Sequence, residues 1–108
     1  MGDLKDLQDS VVRFRDNRDW LQYHTPKNLS MALAGEVGEL IDLYLWDREP
    51  DSEMVRLEMA DVLIYLLSMA DVLEIDLVQA VRDKIFINWQ KYPAFKAKGN
   101  CDKADMVI

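Results

Sequence analysis

Two apolar stretches, GEVGELIDLYLW at 35–46 and LEMADVLIYLL at 57–67, each carry two carboxylates three residues apart: Glu36 and Glu39, then Glu58 and Asp61. A helix turns by about 100° per residue, so this spacing points both acids of a pair the same way. On the first wheel Leu29, Ala32, Leu40 and Leu43 share the arc of Glu36 and Glu39; on the second, Val62, Met69 and Val72 lie beside Glu58, and Tyr65 falls between the two acids in direction. The ordinary fate of helical glutamates is a solvated face. Here both pairs are embedded in apolar stripes, and the chain has to fold so that four carboxylates are tolerated inside.

Four helical segments follow from apolar spacing and end signals. The first runs from about Leu4 to Trp20, with Leu4, Leu7, Val11, Phe14 and Trp20 along one side. Thr25 caps the second, Pro26 occupies its first position, and it extends to about Trp46. After the turn DREPD, Asp51 or Ser52 caps a third helix reaching Leu73. Asp76, with Gln79 three residues on, is a capping-box start for a fourth that stops before Pro93. No segment alternates with period two, and the Asn-Gly or Asp-Gly pairs of tight hairpins are missing. The expected fold is all-α, a four-helix bundle. From Val62 to Leu73 the third helix is apolar around nearly its whole circumference, which four short helices cannot cover, so a dimer or tetramer is expected.

A chain of 108 residues fits one domain, taken as 1–93, with a mostly polar tail at 94–108. No basic segment precedes an apolar one at the N-terminus and no 18-residue apolar run occurs, which disfavours a signal peptide and a membrane span. The single cysteine, Cys101, cannot form an internal disulfide and suits a reducing cytoplasm. A formal net charge of −7 argues against a sequence-independent grip on DNA or RNA. Nucleotides remain possible ligands, because divalent cations bridge acidic side chains to phosphates.

Four carboxylates together repel, and each buried unpaired charge costs several kcal/mol, so a cation is expected among them. Oxygen ligation without imidazole or thiolate suits a hard ion, Mg²⁺ first and Mn²⁺ second. Ions held this way bind substrate phosphates and activate water, and the chemistry that fits is hydrolysis of a phosphoanhydride. Two other readings stay open. A di-iron or di-manganese carboxylate bundle needs paired Glu-x-x-His elements, and the only histidine, His24, is in neither acidic motif. A non-enzymatic helical module that binds a partner leaves the doubled acidic pairs unexplained.

GEVGELIDLYLW followed by LEMADVLIYLL resembles the metal-binding signature of the MazG-like all-α nucleoside triphosphate pyrophosphohydrolases. RDWLQYHTPKNLSMALAGEVGEL and KIFINWQKYP make the sequence most similar to the dCTP pyrophosphatase branch, from about Leu4 to Pro93. Many family members have a further glutamate where this chain has Gly35; that branch also accepts glycine there. The resemblance implies Mg²⁺-dependent hydrolysis of a nucleoside triphosphate, dCTP or a related deoxynucleotide, to the monophosphate and pyrophosphate. It implies Glu36, Glu39, Glu58 and Asp61 as metal ligands, with Glu39, or Glu36 beside it, as the group acting on the attacking water.

The other motif residues carry over one at a time. Trp20 and Trp46 match positions near the base, though helix-terminal tryptophans are as often core anchors. His24 is expected at base or phosphate, with a structural hydrogen bond as its ordinary alternative. Tyr65 shares the direction of the acids and is expected beside the nucleotide. Lys84, Asn88 and Lys91 fall on one helical side together with Leu77 and Val81, a mixture unusual for a solvated face. Lys84 is expected at phosphate, Asn88 at sugar or base and Tyr92 packing nearby, with Lys91 a surface charge.

Overall fold

The computed structural model describes residues 2–47 and 49–99. They form α1 (Asp3–Asn17), α2 (Pro26–Asp42), α3 (Ser52–Leu73), α4 (Leu77–Lys91) and the short α5 (Ala94–Ala97), with 3₁₀ turns at Leu21–Tyr23 and Leu45–Asp47. No strand occurs among the described residues, in agreement with the all-α expectation. No helix among them is long and apolar enough to cross a membrane.

The helix starts follow the capping chemistry of the sequence. Thr25 Oγ1 accepts from the Asn28 N–H at 3.1 Å, and Pro26 takes the first position. Asp51 Oδ1 accepts from Glu53 N–H at 2.8 Å, which selects Asp51 over Ser52 as the cap. Asp76 Oδ1 accepts from Gln79 N–H at 3.1 Å. The reciprocal half of that capping box does not form, because Gln79 Nε2 donates to Asp83 Oδ1 instead.

Two helix ends fall short of the expected positions. α1 stops at Asn17, three residues before Trp20. There the Trp20 N–H returns to the Arg15 carbonyl and the Asp19 N–H to that of Asp16, each at 3.1 Å, with Asp19 left-handed at φ 55°. This is the Schellman ending, with aspartate at the position where glycine is usual. α2 stops at Asp42, not Trp46. Bonds from Leu43 N–H to Leu40 O and from Tyr44 N–H to Ile41 O tighten its last turn to 3₁₀ geometry, and Trp46 then adopts φ 63°. α3 closes in the Schellman manner too, around Glu74 at φ 56°, with Ile75 N–H bonded to Ala70 O.

The chain divides at Ile75 and Asp76 into two compact units. In the first, α3 packs against both α2 and α1. Among its described residues the buried apolar ones are Leu29 of α2 and Leu67 and Ala70 of α3, and the buried polar ones are Arg15 and Ser68. The Ser68 hydroxyl is satisfied within its own helix by the Ile64 carbonyl at 2.9 Å. The inward side of α1 differs from the expected stripe. Leu4, Gln8, Val11 and Val12 are half-buried and Arg15 is buried, whereas Leu7 and Phe14 are about half exposed, at 51% and 52%. Long polar side chains make this seam: Gln8 Nε2 donates to Leu67 O and Arg15 Nη1 to Asp71 Oδ2. Phe14, on the flank, is covered by the Arg18 guanidinium 3.5 Å from its ring centroid.

The second unit holds α4 and α5. Val78, Val81, Ile85, Phe86 and Trp89 of α4 are exposed, as are Leu63, Ile64, Leu66 and Leu73 on α3. Lys91, expected as a surface charge, is half-buried, with Nζ 5.5 Å from the Tyr92 ring centroid. Pro93 starts α5, so Ala94–Ala97 of the expected tail are helical. The rest of that tail, with Cys101, lies outside the described residues.

Candidate functional site

Glu36 comes from the second half of α2, and Glu58 and Asp61 come from the first half of α3. One carboxylate oxygen from each lies within 4.8 Å of the others, and no other group of three His, Cys, Asp or Glu residues among the described residues comes as close. All three residues are half-buried. Glu36 Oε2 and Glu58 Oε2 are fully buried and have no hydrogen-bond partner.

This electrostatic arrangement is unfavourable on its own. The Glu36 carboxyl is pushed up to about 7, first by burial and then by the neighbouring carboxylates of Glu39, Glu58 and Asp61. In a metal-free cluster one acid keeps its proton so that the like charges need not all coexist. The ion pairs among the described residues join Lys5 to Asp9, Arg15 to Asp16 and Asp71, and Arg56 to Glu53. None of them reaches the four acids of the two motifs. Orphaned buried oxygens, an all-oxygen donor set and no ion pair from the described residues fit a hard divalent ion.

Glu39 behaves differently from its three companions. It lies close enough to Glu36 to raise its pKa but outside the three-carboxylate group, and its side chain is exposed. The apolar stripe thus encloses Glu36 and leaves Glu39 at the rim. Gly35 and Gly38 flank Glu36, and a Cβ built at either would meet nothing within 4 Å, so there is open space at both glycines.

The remaining candidates occupy several environments. Tyr65 is half-buried on α3, one turn beyond Asp61. Trp20 is 43% exposed and packs edge-on against Phe14, centroids 5.8 Å apart at 69°. Trp46 is 86% exposed on the 3₁₀ turn after α2. His24 is half-buried, with Nδ1 fully buried and unpartnered; burial and then the Arg15 charge lower its pKa. Lys84 and Asn88 are exposed on α4, and Tyr92 is half-buried at its end, all within the second unit. The wheel argument missed Arg15 and Asp71. Their only signal was that Arg15 continues the Leu4, Gln8, Val11 spacing.

Comparison with known proteins decides the family. The model of the MazG-like family matches residues 28–105. The chain belongs to the MazG-like family. This MazG-like chain is 40% identical to the dCTP pyrophosphatase 1 proteins of Mus musculus and Homo sapiens, over 93% of its own length and 65% of theirs. It therefore spans just under two thirds of the length of those relatives. A crystal structure of a pyrophosphatase from Archaeoglobus fulgidus is similar over 86% of this chain and 94% of that one, with 43% identity and a TM-score of 0.78.

Proposed function

We propose that this MazG-like chain hydrolyses a nucleoside triphosphate, dCTP or a related deoxynucleotide, to the monophosphate and pyrophosphate, using Mg²⁺ or Mn²⁺. The observation that carries the reading is the group of Glu36, Glu58 and Asp61, with two buried orphan oxygens and no ion pair among the described residues reaching it. The pyrophosphatase names of the relatives supply the reaction class.

Glu36, Glu58 and Asp61, with Glu39 at the rim, would hold the ion. Such an ion would offset the charge of the cluster and would supply Lewis-acid chemistry for phosphoryl oxygens and for an attacking water. Glu39 orients that water and accepts its proton, a role that suits an exposed carboxylate beside a buried one. The bond that breaks is the anhydride between the α- and β-phosphates, and pyrophosphate leaves. Trp20, Trp46 and His24 enclose the base, with Tyr65 near the nucleotide, Lys84 on phosphate and Asn88 on the sugar or base beside Tyr92. Residues 1–93 carry the activity, in the cytoplasm, in a dimer or tetramer that covers the exposed apolar residues of α3.

Incubation with each nucleoside triphosphate, with and without Mg²⁺, followed by product identification, tests the reading. Metal-dependent release of pyrophosphate is expected. A protein that turns over no nucleotide would leave the acids without this role.

A further inference from the structure

Among the described residues of the first unit, Arg15 is the one charged side chain that is buried, 5% exposed. A buried guanidinium is tolerated only when its charge and donors are answered. Its Nε donates to Asp16 Oδ1 at 2.9 Å and its Nη1 to Asp71 Oδ2 at 2.7 Å. Asp16 is its chain neighbour, so the bond to Asp71 is the one that ties α1 to α3. The backbone of the same residue organises the junction that follows: its carbonyl accepts from both Arg18 N–H and Trp20 N–H at 3.1 Å. The guanidinium also acts on His24, at the far end of the junction, where its charge adds to burial in disfavouring the imidazolium.

Arg15 thus fixes the start of the segment that carries Trp20 and His24 and binds it to α3. The 3₁₀ turn that follows, closed by Tyr23 N–H to Trp20 O and His24 N–H to Leu21 O, carries that placement on to His24. Helix α3 also carries Glu58, Asp61 and Tyr65. At 1.5 Å per residue, Asp71 lies about 15 Å along the axis from Asp61 and about 9 Å from Tyr65. The Arg15–Asp71 bond therefore registers the two candidate base-contacting residues against the carboxylates along a single helix.

We propose that Arg15, clamped to α3 through Asp71, is the positioning residue for base recognition, setting Trp20 and His24 at a fixed distance from the acidic cluster. The proposal rests on the hydrolase reading above. Arg15 touches neither the reacting phosphates nor the clustered Glu36, Glu39, Glu58 and Asp61, and its loss acts on nucleotide affinity and base choice rather than on the chemical step.

The test uses the full chain with Mg²⁺ and the nucleotide it turns over fastest, comparing wild type, Asp71→Asn and Arg15→Gln. Asp71→Asn is expected to raise KM about tenfold while kcat stays within about twofold, because a small misplacement of recognising groups weakens binding. His24 is the only histidine, so its ring signal in a ¹H–¹³C spectrum is unambiguous. In nucleotide-free protein that signal is expected to shift in Asp71→Asn and to titrate at higher pH in Arg15→Gln. An unchanged KM in folded Asp71→Asn overturns the proposal whatever the spectrum shows, and so does a loss confined to kcat. Should Asp71→Asn melt below the assay temperature, Arg15→Lys, which keeps the charge but loses the planar fork, gives the same KM readout. A wild-type protein inactive on every nucleotide overturns the hydrolase reading instead. The nucleotide-free His24 spectrum then still judges the clamp, and an unmoved signal overturns it.

Discussion

A carboxylate oxygen of Glu36 on α2 lies within 4.8 Å of one from Glu58 on α3, and the Oε2 atom of each is buried without a hydrogen-bond partner. Two acids in that relationship are stable together only with a proton or a cation between them. Several measurable consequences come from this competition.

The first is a pH dependence. Glu36 holds its proton up to about 7 in the folded chain, against an ordinary value of 4.5. Between these values the folded chain keeps a proton that the unfolded chain has released. The metal-free protein should therefore lose stability as pH rises from about 4.5 and level off above about 7. Metal binding displaces that proton, so Mg²⁺ affinity should strengthen over the same range. Urea unfolding with a chelator at several pH values checks the first trend, and Glu36→Gln should lack this component. Parallel stability profiles for the two proteins would remove the basis for it.

Neutralising the acids of α3 separates folding from function. Glu58→Gln and Asp61→Asn should each cut metal-dependent turnover by about a hundredfold or more, since each removes a charge that the ion requires. Metal-free stability should hold or rise, because like-charge repulsion is relieved. Glu39→Gln should also abolish most turnover, with a smaller loss of Mg²⁺ affinity measured by calorimetry. Normal turnover in Glu39→Gln would exclude its assigned role.

Gly38→Ala tests the open space at Gly38, two residues from Glu36. An added Cβ meets nothing within 4 Å, so the alanine should stabilise α2 by roughly 1 kcal/mol in urea unfolding. Turnover should fall at the same time if the open space admits the nucleotide. A destabilised Gly38→Ala would mean that the space is filled in solution.

The core and the outer flank of α1 should respond in opposite ways. Leu67 is 2% exposed, and Leu67→Ala should cost about 2–5 kcal/mol of unfolding free energy. Leu7, at 51% exposure, should tolerate alanine within about 0.5 kcal/mol. Equal effects at the two sites would contradict the inward face assigned to α1.

How much of this was legible in the sequence depends on which forces act locally. Caps are local, and Thr25, Asp51 and Asp76 start their helices where their side-chain chemistry says they should. Periodicity located Glu36, Glu58 and Asp61 on inward faces because an apolar stripe wide enough to bury neighbours buries them too. It misplaced Glu39, which lies at the edge of that stripe, where about 60° of rotation separates inside from outside. The seam of α1 was hidden for another reason. Gln8 and Arg15 read as surface residues until a partner on another helix, the Leu67 carbonyl or Asp71, accepts their hydrogen bonds. The ends at Asn17 and Asp42 were missed because no glycine marks them; Asp19 and Trp46 take left-handed conformations that glycine would announce.

The two helices that share the acidic cluster are unequally stiff. α3 runs through Ser52–Leu73 without a glycine or proline, so Glu58 and Asp61 stand on an unyielding rod. Glu36 stands between Gly35 and Gly38, at the most compliant part of α2. Any adjustment to ions of different radius, or to the charge that arrives with a substrate, is taken up on the α2 side, while the α3 side acts as the fixed jaw against which it closes.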